Sequence, residues 1–144
     1  MIRSFTLIEV IIVIAIIAIL AGIAFSTFQA FQPSLQLSEA TRTLSTNLRY
    51  AQQLSVTEQV NYCVDFYPDE KKYKVVQCET LDLVSEIVLN EEIQSIALAG
   101  FINERVEFNP YGAARRSGTI TIQNTNNDTK TIQVKPSGFV KVSE

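Results

Sequence analysis

Apolar residues run almost unbroken from Phe5 to Phe25, where only Thr6, Glu9 and Gly22 depart from Ile, Val, Leu, Ala and Phe. As a helix rising about 1.5 Å per residue, these 21 residues reach roughly 31 Å, about one hydrocarbon core. Phe25, Phe28 and Phe31 then recur between Ser26, Thr27, Gln29 and Gln32, a mixture suited to a membrane interface. Pro33 removes a backbone donor and is expected to bend the helix or start a new one. From Leu37 the pattern is amphipathic: Leu37, Ala40, Leu44, Leu48, Ala51 and Leu54 form one stripe, with Glu39, Arg42, Thr46, Arg49 and Gln53 off it. Such a stripe needs a sheet to cover it.

After Thr57 the period becomes two. Val60, Tyr62, Val64 and Phe66 alternate with Asn61, Cys63, Asp65 and Tyr67, Pro68 to Lys71 supplies a turn, and Tyr73 to Cys78 returns as a hairpin. Short strands are expected at 86–89, 95–98 and 105–108, stronger ones at 119–123 and 131–134 around the turn-rich Asn124 to Asp128, and a last one at 139–142. The expected class is α+β: a helix whose first half spans a membrane (5–25) and whose second half (26–56, bent near Pro33) packs on a C-terminal antiparallel β domain (57–144).

Glu9 is out of place in that span. A charge near a bilayer centre costs roughly 2.5 to 3.5 kcal/mol on insertion scales and is retained mainly for function. A cleaved secretory signal is the competing reading, with Ala18, Ala21 and Gly22 as the small residues that would feed cleavage. The apolar core of such a signal is about 7 to 15 residues and does not begin with an acid. Arg3 lies just before the span, and no ionised residue follows Glu9 until Glu39, so the amino terminus is expected on the cytoplasmic side.

Composition fits one exported domain. The chain has 144 residues, 47% of them hydrophobic, and a net charge of -3. Without the span and its approach, roughly 85 to 110 residues remain, enough for one modest core. A hairpin symmetric about the Glu70–Lys71 bond sets Cys63 opposite Cys78, so outside the cytoplasm a disulfide worth roughly 3 kcal/mol is expected. A register slip of one residue would leave two free thiols instead. Two cysteines without a histidine do not make a structural zinc site.

Nothing points to an enzyme or to a bound cofactor. The chain has no His and no Trp, no Gly-x-Ser-x-Gly elbow, no phosphate-cradling Gly loop and no metal-ligand cluster, and Glu91–Glu92 reads as a solvated turn. Asn124, Asn126, Asn127 and Asp128 offer oxygens to a cation, but only one is charged and a hairpin turn explains them all. The arginine doublet Arg115–Arg116, between Gly112 and Gly118, is a candidate basic contact loop. Two such charges hold little nucleic acid against a net charge of -3, and a solvated loop or a subunit contact explains them as well.

Ser4-Phe5-Thr6-Leu7-Ile8-Glu9-Val10, with the Ile/Val/Ala run behind it, resembles the class III leader of type IV pilins and type II secretion pseudopilins. The resemblance implies a leader of residues 1–4, a prepilin peptidase cut between Ser4 and Phe5, and methylation of the new amino terminus at Phe5. Ser4 replaces the usual Gly and keeps the site small. By the same resemblance Glu9 docks in the membrane against the terminal amine of a neighbouring subunit.

Further along, Leu48-Arg49-Tyr50-Ala51-Gln52, Phe108-Asn109-Pro110-Tyr111-Gly112, Gly118-Thr119-Ile120-Thr121-Ile122, Ile132-Gln133-Val134 and Ser137-Gly138-Phe139-Val140 are similar to minor pseudopilins and minor pilins of GspH/FimT type. That implies a pilin-like lollipop and the role of a minor pseudopilin in a type II secretion pseudopilus, or alternatively of a minor pilin in a type IV pilus. The implied partners are other pseudopilins or pilins, the prepilin peptidase and an inner-membrane assembly platform. The implied location is the bacterial inner membrane, single-pass, with the β domain periplasmic or extracellular. Some relatives bind DNA through a basic Gly-Arg-x-Arg motif. Here the corresponding stretch, Ser137 to Lys141, has no arginine, so nucleic acid is not an expected partner.

Overall fold

Helix α1, Leu7–Glu58, runs through Pro33 without a break in its assignment. The structure, a computed structural model, describes residues 6–143, the side chains of 24–27 and 30 excepted. Pro33 therefore does not start a new helix: its ring leaves one carbonyl without a donor, and the flanking hydrogen bonds carry the helix past it. The chain nevertheless divides there into two compact units, Met1–Gln32 and Pro33–Glu144.

In the first unit every described side chain from Thr6 to Ile23 is exposed. Among the described residues no helix is long and apolar enough to cross a membrane. The expected span of 5–25 falls partly outside them, at Phe5 and at the side chains of Ala24 and Phe25.

In the second unit, α1 ends two residues beyond the expected boundary, at Glu58, where Gln59 turns left-handed (φ 57°). Eight strands follow: β1 Tyr62–Tyr67, β2 Lys72–Gln77, β3 Leu83–Val88, β4 Ile93–Ala99, β5 Arg105–Phe108, β6 Gly118–Asn124, β7 Thr129–Val134 and β8 Val140–Ser143. They form two four-stranded sheets, β3-β2-β1-β5 and β4-β6-β7-β8, with antiparallel pairing throughout.

The helical stripe is buried as its spacing requires. Leu37, Leu44, Leu48 and Ala51 join one cluster with Val64, Tyr73 and Phe108 of the first sheet and Ile120, Ile122 and Ile132 of the second, and Ala40 and Leu54 pack on its margin. Thr41, Ser45 and Ser55 widen the buried face. Thr41 is accommodated because its hydroxyl donates to the Leu37 carbonyl at 2.7 Å. Asn47 Nδ2 donates to Tyr73 Oη at 2.9 Å, tying helix to sheet.

The hairpin register differs from the symmetric one. Cys63 lies opposite Val76, and Cys78, just past β2, donates its N–H to the Asn61 carbonyl at 3.0 Å. The cause is the turn: Pro68 opens a 3-10 turn over Pro68–Glu70 and left-handed Lys71 closes it, so the centre falls one bond earlier than expected. The slip is two residues, which keeps Cys78 on the face of Cys63. A diagonal disulfide joins them, with Cα atoms 5.2 Å apart.

Replacing both cysteines by serine should lower the unfolding free energy of the full chain in detergent by about 3 kcal/mol, read from denaturant melts of oxidised protein. Burial raises the Tyr73 phenol to about 12. A raised folded value means stability fully present below the unfolded pKa, about 10, and lost as pH rises toward 12. The alkaline unfolding midpoint of Tyr73→Phe should accordingly move upward in a circular-dichroism titration, and an unchanged midpoint would remove Tyr73 from the transition.

Candidate functional site

At the start of α1 the local geometry is that of a capped helix. Thr6 immediately precedes Leu7, its carbonyl accepts the Glu9 N–H at 3.1 Å and its Oγ1 accepts the same N–H at 3.4 Å. Thr6 and Glu9 stand three apart, the Thr-x-x-Glu spacing of a capping box. Glu9 thus occupies the first turn, where the positive end of the helix dipole favours an acid. Thr6 was legible as a cap from that spacing, which the apolar run around it masks.

Around Glu9 the apolar side chains are exposed among the described residues. Leu7 is 80% exposed, and the Ile and Val side chains from Ile8 to Ile23 are also exposed. Contiguous exposed apolar surface on this scale marks a membrane or protein contact. Ser4 and Phe5, the expected cleavage and methylation positions, lie outside the described residues.

Three separated sequence motifs meet at one point of the second unit. Gln52, late in α1, donates from Nε2 to the Gly112 carbonyl at 2.6 Å. Gly138 packs onto both groups with φ 79°, and a Cβ there would collide with the Gly112 carbonyl and the Gln52 amide. Asn109 Oδ1 holds the intervening turn by accepting the N–H groups of Tyr111 and Ala113, each at 3.0 Å. The motifs are a structural clamp between helix and sheet ends.

The arginine doublet is split by its surroundings. Arg115 Nη1 contacts both Glu107 oxygens, at 2.9 and 3.2 Å, while Arg116 has no ion pair among the described residues. Beside them Arg105 bonds Asp65 bidentately, Nε to Oδ1 at 2.5 Å and Nη2 to Oδ2 at 2.7 Å, and that hydrogen bond raises the Arg105 pKa further. Arg105, Glu107, Arg115, Arg116 and Phe101 line a cavity of about 310 Å³. Among the described residues, two of these three guanidiniums are held in ion pairs and Arg116 is not. The Asp65–Arg105 pair was hidden in the sequence because it joins strands 40 residues apart.

The Asn124 loop spends its oxygens on the turn. Buried Asn124 Oδ1 accepts the N–H groups of Asn126 and Asp128 at 3.1 and 2.8 Å, and its Nδ2 donates to Asp128 Oδ2 at 3.0 Å. Among the described residues no three His, Cys, Asp or Glu side chains gather where a metal ion could sit.

Comparison with known proteins agrees with both halves of this description. Residues 1–25 match the prokaryotic N-terminal methylation motif. No curated protein sequence matches the chain. The type IV minor pilin FimU of Pseudomonas aeruginosa superposes with a TM-score of 0.66 at 12% identity, over 79% of this chain and 92% of that one. The minor pseudopilin EpsH from the type 2 secretion system of Vibrio cholerae superposes with a TM-score of 0.64 at 10% identity, over 75% of this chain and 96% of that one. One is named as a minor pilin and the other as a minor pseudopilin. The chain joins a prepilin-type methylation motif to the type IV pilin-like fold, a long N-terminal helix followed by an antiparallel β domain.

Proposed function

We propose that the chain is a minor pseudopilin of a type II secretion system, matured by prepilin peptidase and assembled through its apolar helix into a periplasmic pseudopilus. The observation that carries this reading is the methylation motif over residues 1–25 on a helix whose apolar side chains, Leu7 to Ile23, are exposed. In this reading residues 1–4 are the leader, cleavage falls between Ser4 and Phe5, and the new terminus is methylated at Phe5. Residues 5–25 hold the chain in the inner membrane as a single pass, amino terminus cytoplasmic, until an assembly platform extracts it.

Glu9 then has a defined task. A carboxylate in hydrocarbon is relieved when an opposite charge comes alongside, since Coulomb attraction grows as the dielectric falls. The amino-terminal ammonium of a neighbouring subunit is such a charge. The positive end of the helix dipole favours the Glu9 carboxylate in the isolated subunit, and the neighbour's amine does so in the filament.

A second reading, a minor pilin of a type IV pilus, is supported by the FimU superposition, which is as good as that of EpsH. The two readings share peptidase, membrane storage and helix packing, and they differ in the machine.

Intact mass spectrometry of protein from a host with an active prepilin peptidase should give a chain starting at Phe5 with one added methyl group. A start near Gly22 would make the protein a freely secreted domain instead. Glu9→Ala should still insert in the membrane but be absent from sheared or cross-linked filaments, and incorporation at the parental level would remove the pairing role. In the same strain, loss of protein secretion with intact pili supports the pseudopilin, and loss of pili with intact secretion supports the pilin.

A further inference from the structure

A groove of about 460 Å³ runs between α1 and the last strands of the second sheet. Its charged lining is Arg42 and Arg49 of α1 and Lys130 of β7, and no acidic residue is among the described residues that line it. That is three of the chain's twelve Lys and Arg residues, in a molecule of net charge -3. Arg42 has no ion pair among the described residues, and Arg49 commits one Nη2 donor to the Val140 carbonyl at 3.2 Å. A guanidinium has five donors, so most of them remain.

Ser45, 6% exposed, also lines the groove. The other wall is β8, which ends its sheet and leaves one edge unpaired. Phe139 O accepts from Lys135 N at 2.9 Å, so by alternation the N–H and C=O groups of Val140 and Val142 point away from β7, toward that free edge. The Val140 carbonyl is the one Arg49 holds. An unpaired edge of this kind is a template for an added strand.

We propose that this groove docks an extended, acidic segment of a partner polypeptide along the free edge of β8, its carboxylates taken by Arg42 and Arg49. Seven residues, two turns of helix, separate the two arginines by about 10 Å. Same-side residues of an extended strand recur about every 7 Å, so neighbouring same-side carboxylates fall within reach of both side chains. A nucleic-acid backbone fits less well, because two arginines neutralise little of a phosphate chain and the strand edge offers it no matching ladder. The groove lies wholly within Pro33–Glu144. Its failure would therefore leave the role of Glu9 and residues 1–25 standing.

The test uses the full chain in detergent micelles at low salt, a fluorescent peptide of alternating Glu and Val, its Gln–Val counterpart, and a single-stranded oligonucleotide. The Glu–Val peptide should bind by anisotropy, and its Gln–Val counterpart about tenfold more weakly. Arg42→Glu should weaken the Glu–Val peptide by about tenfold with thermal unfolding unchanged. Val142→Pro, which removes an outward N–H and leaves the ladder to β7 intact, should weaken both peptides. Arg115→Glu, outside the groove, should change binding less than about twofold. No binding of the Glu–Val peptide, equal binding of its Gln counterpart, indifference to Arg42→Glu or to Val142→Pro, or Arg42-dependent binding of the oligonucleotide alone would each overturn the proposal.

Discussion

Burial of one helical stripe is the constraint on which the β domain depends. Leu37, Leu44, Leu48 and Ala51 are at most 1% exposed and share a cluster with residues of both sheets, which are separate in their hydrogen bonding. A fully buried Leu is worth roughly 1.5 to 3 kcal/mol relative to an exposed one. The two four-stranded sheets are therefore coupled through the helix and the shared core, since no strand pairing joins them. Hydroxyl-bearing Thr41, Ser45 and Ser55 widen the stripe where the helix lies against polar rims, and Thr41 and Ser55 return their protons to helical carbonyls. The described apolar side chains from Leu7 to Ile23 of the same helix are exposed. One element thus presents an apolar surface satisfied within the domain and another that needs a second medium or a second molecule.

Much of this fold is visible in the sequence because two periodicities are kept cleanly. The stripe from Leu37 to Leu54 holds the helical spacing, and every expected strand is present, down to the four-residue β5. Local pattern also carried the cysteine pair, since both residues sit on one face of one hairpin. What it could not carry was the register, because the turn centre depends on Pro68 and left-handed Lys71 acting together. At Pro33 the sequence left two outcomes open, a bend or a new helix, and no new helix starts there because one lost donor is a local penalty and a helix bonded on both sides of it continues.

The candidate sites were legible where chemistry is local and hidden where it depends on distant strands. Glu9 stands out because charge in an apolar run is costly wherever the run ends up. Arg115 looked like half of a basic patch, and only the pairing of residues 107 and 115 shows it neutralised. Gln52, Gly112 and Gly138 stand in three separate motifs of the sequence and form one clamp, with Gly138 required because any side chain there would strike the Gly112 carbonyl.

That clamp bears on how function diverges on this fold. At 10% to 12% identity, FimU and EpsH share the architecture of this chain, so the helix, the two sheets and their mutual packing survive almost complete replacement of side chains. Packing asks only for apolar volume in the right period, which many residues supply. A contact surface asks for particular charges at particular spacings, as Arg42, Ser45 and Arg49 occupy one wall of a groove with no acid among its described lining. Residues 1–25 carry the methylation motif. The polar face of 33–58 and the free edge of β8 are where one subunit of this architecture can be told from another.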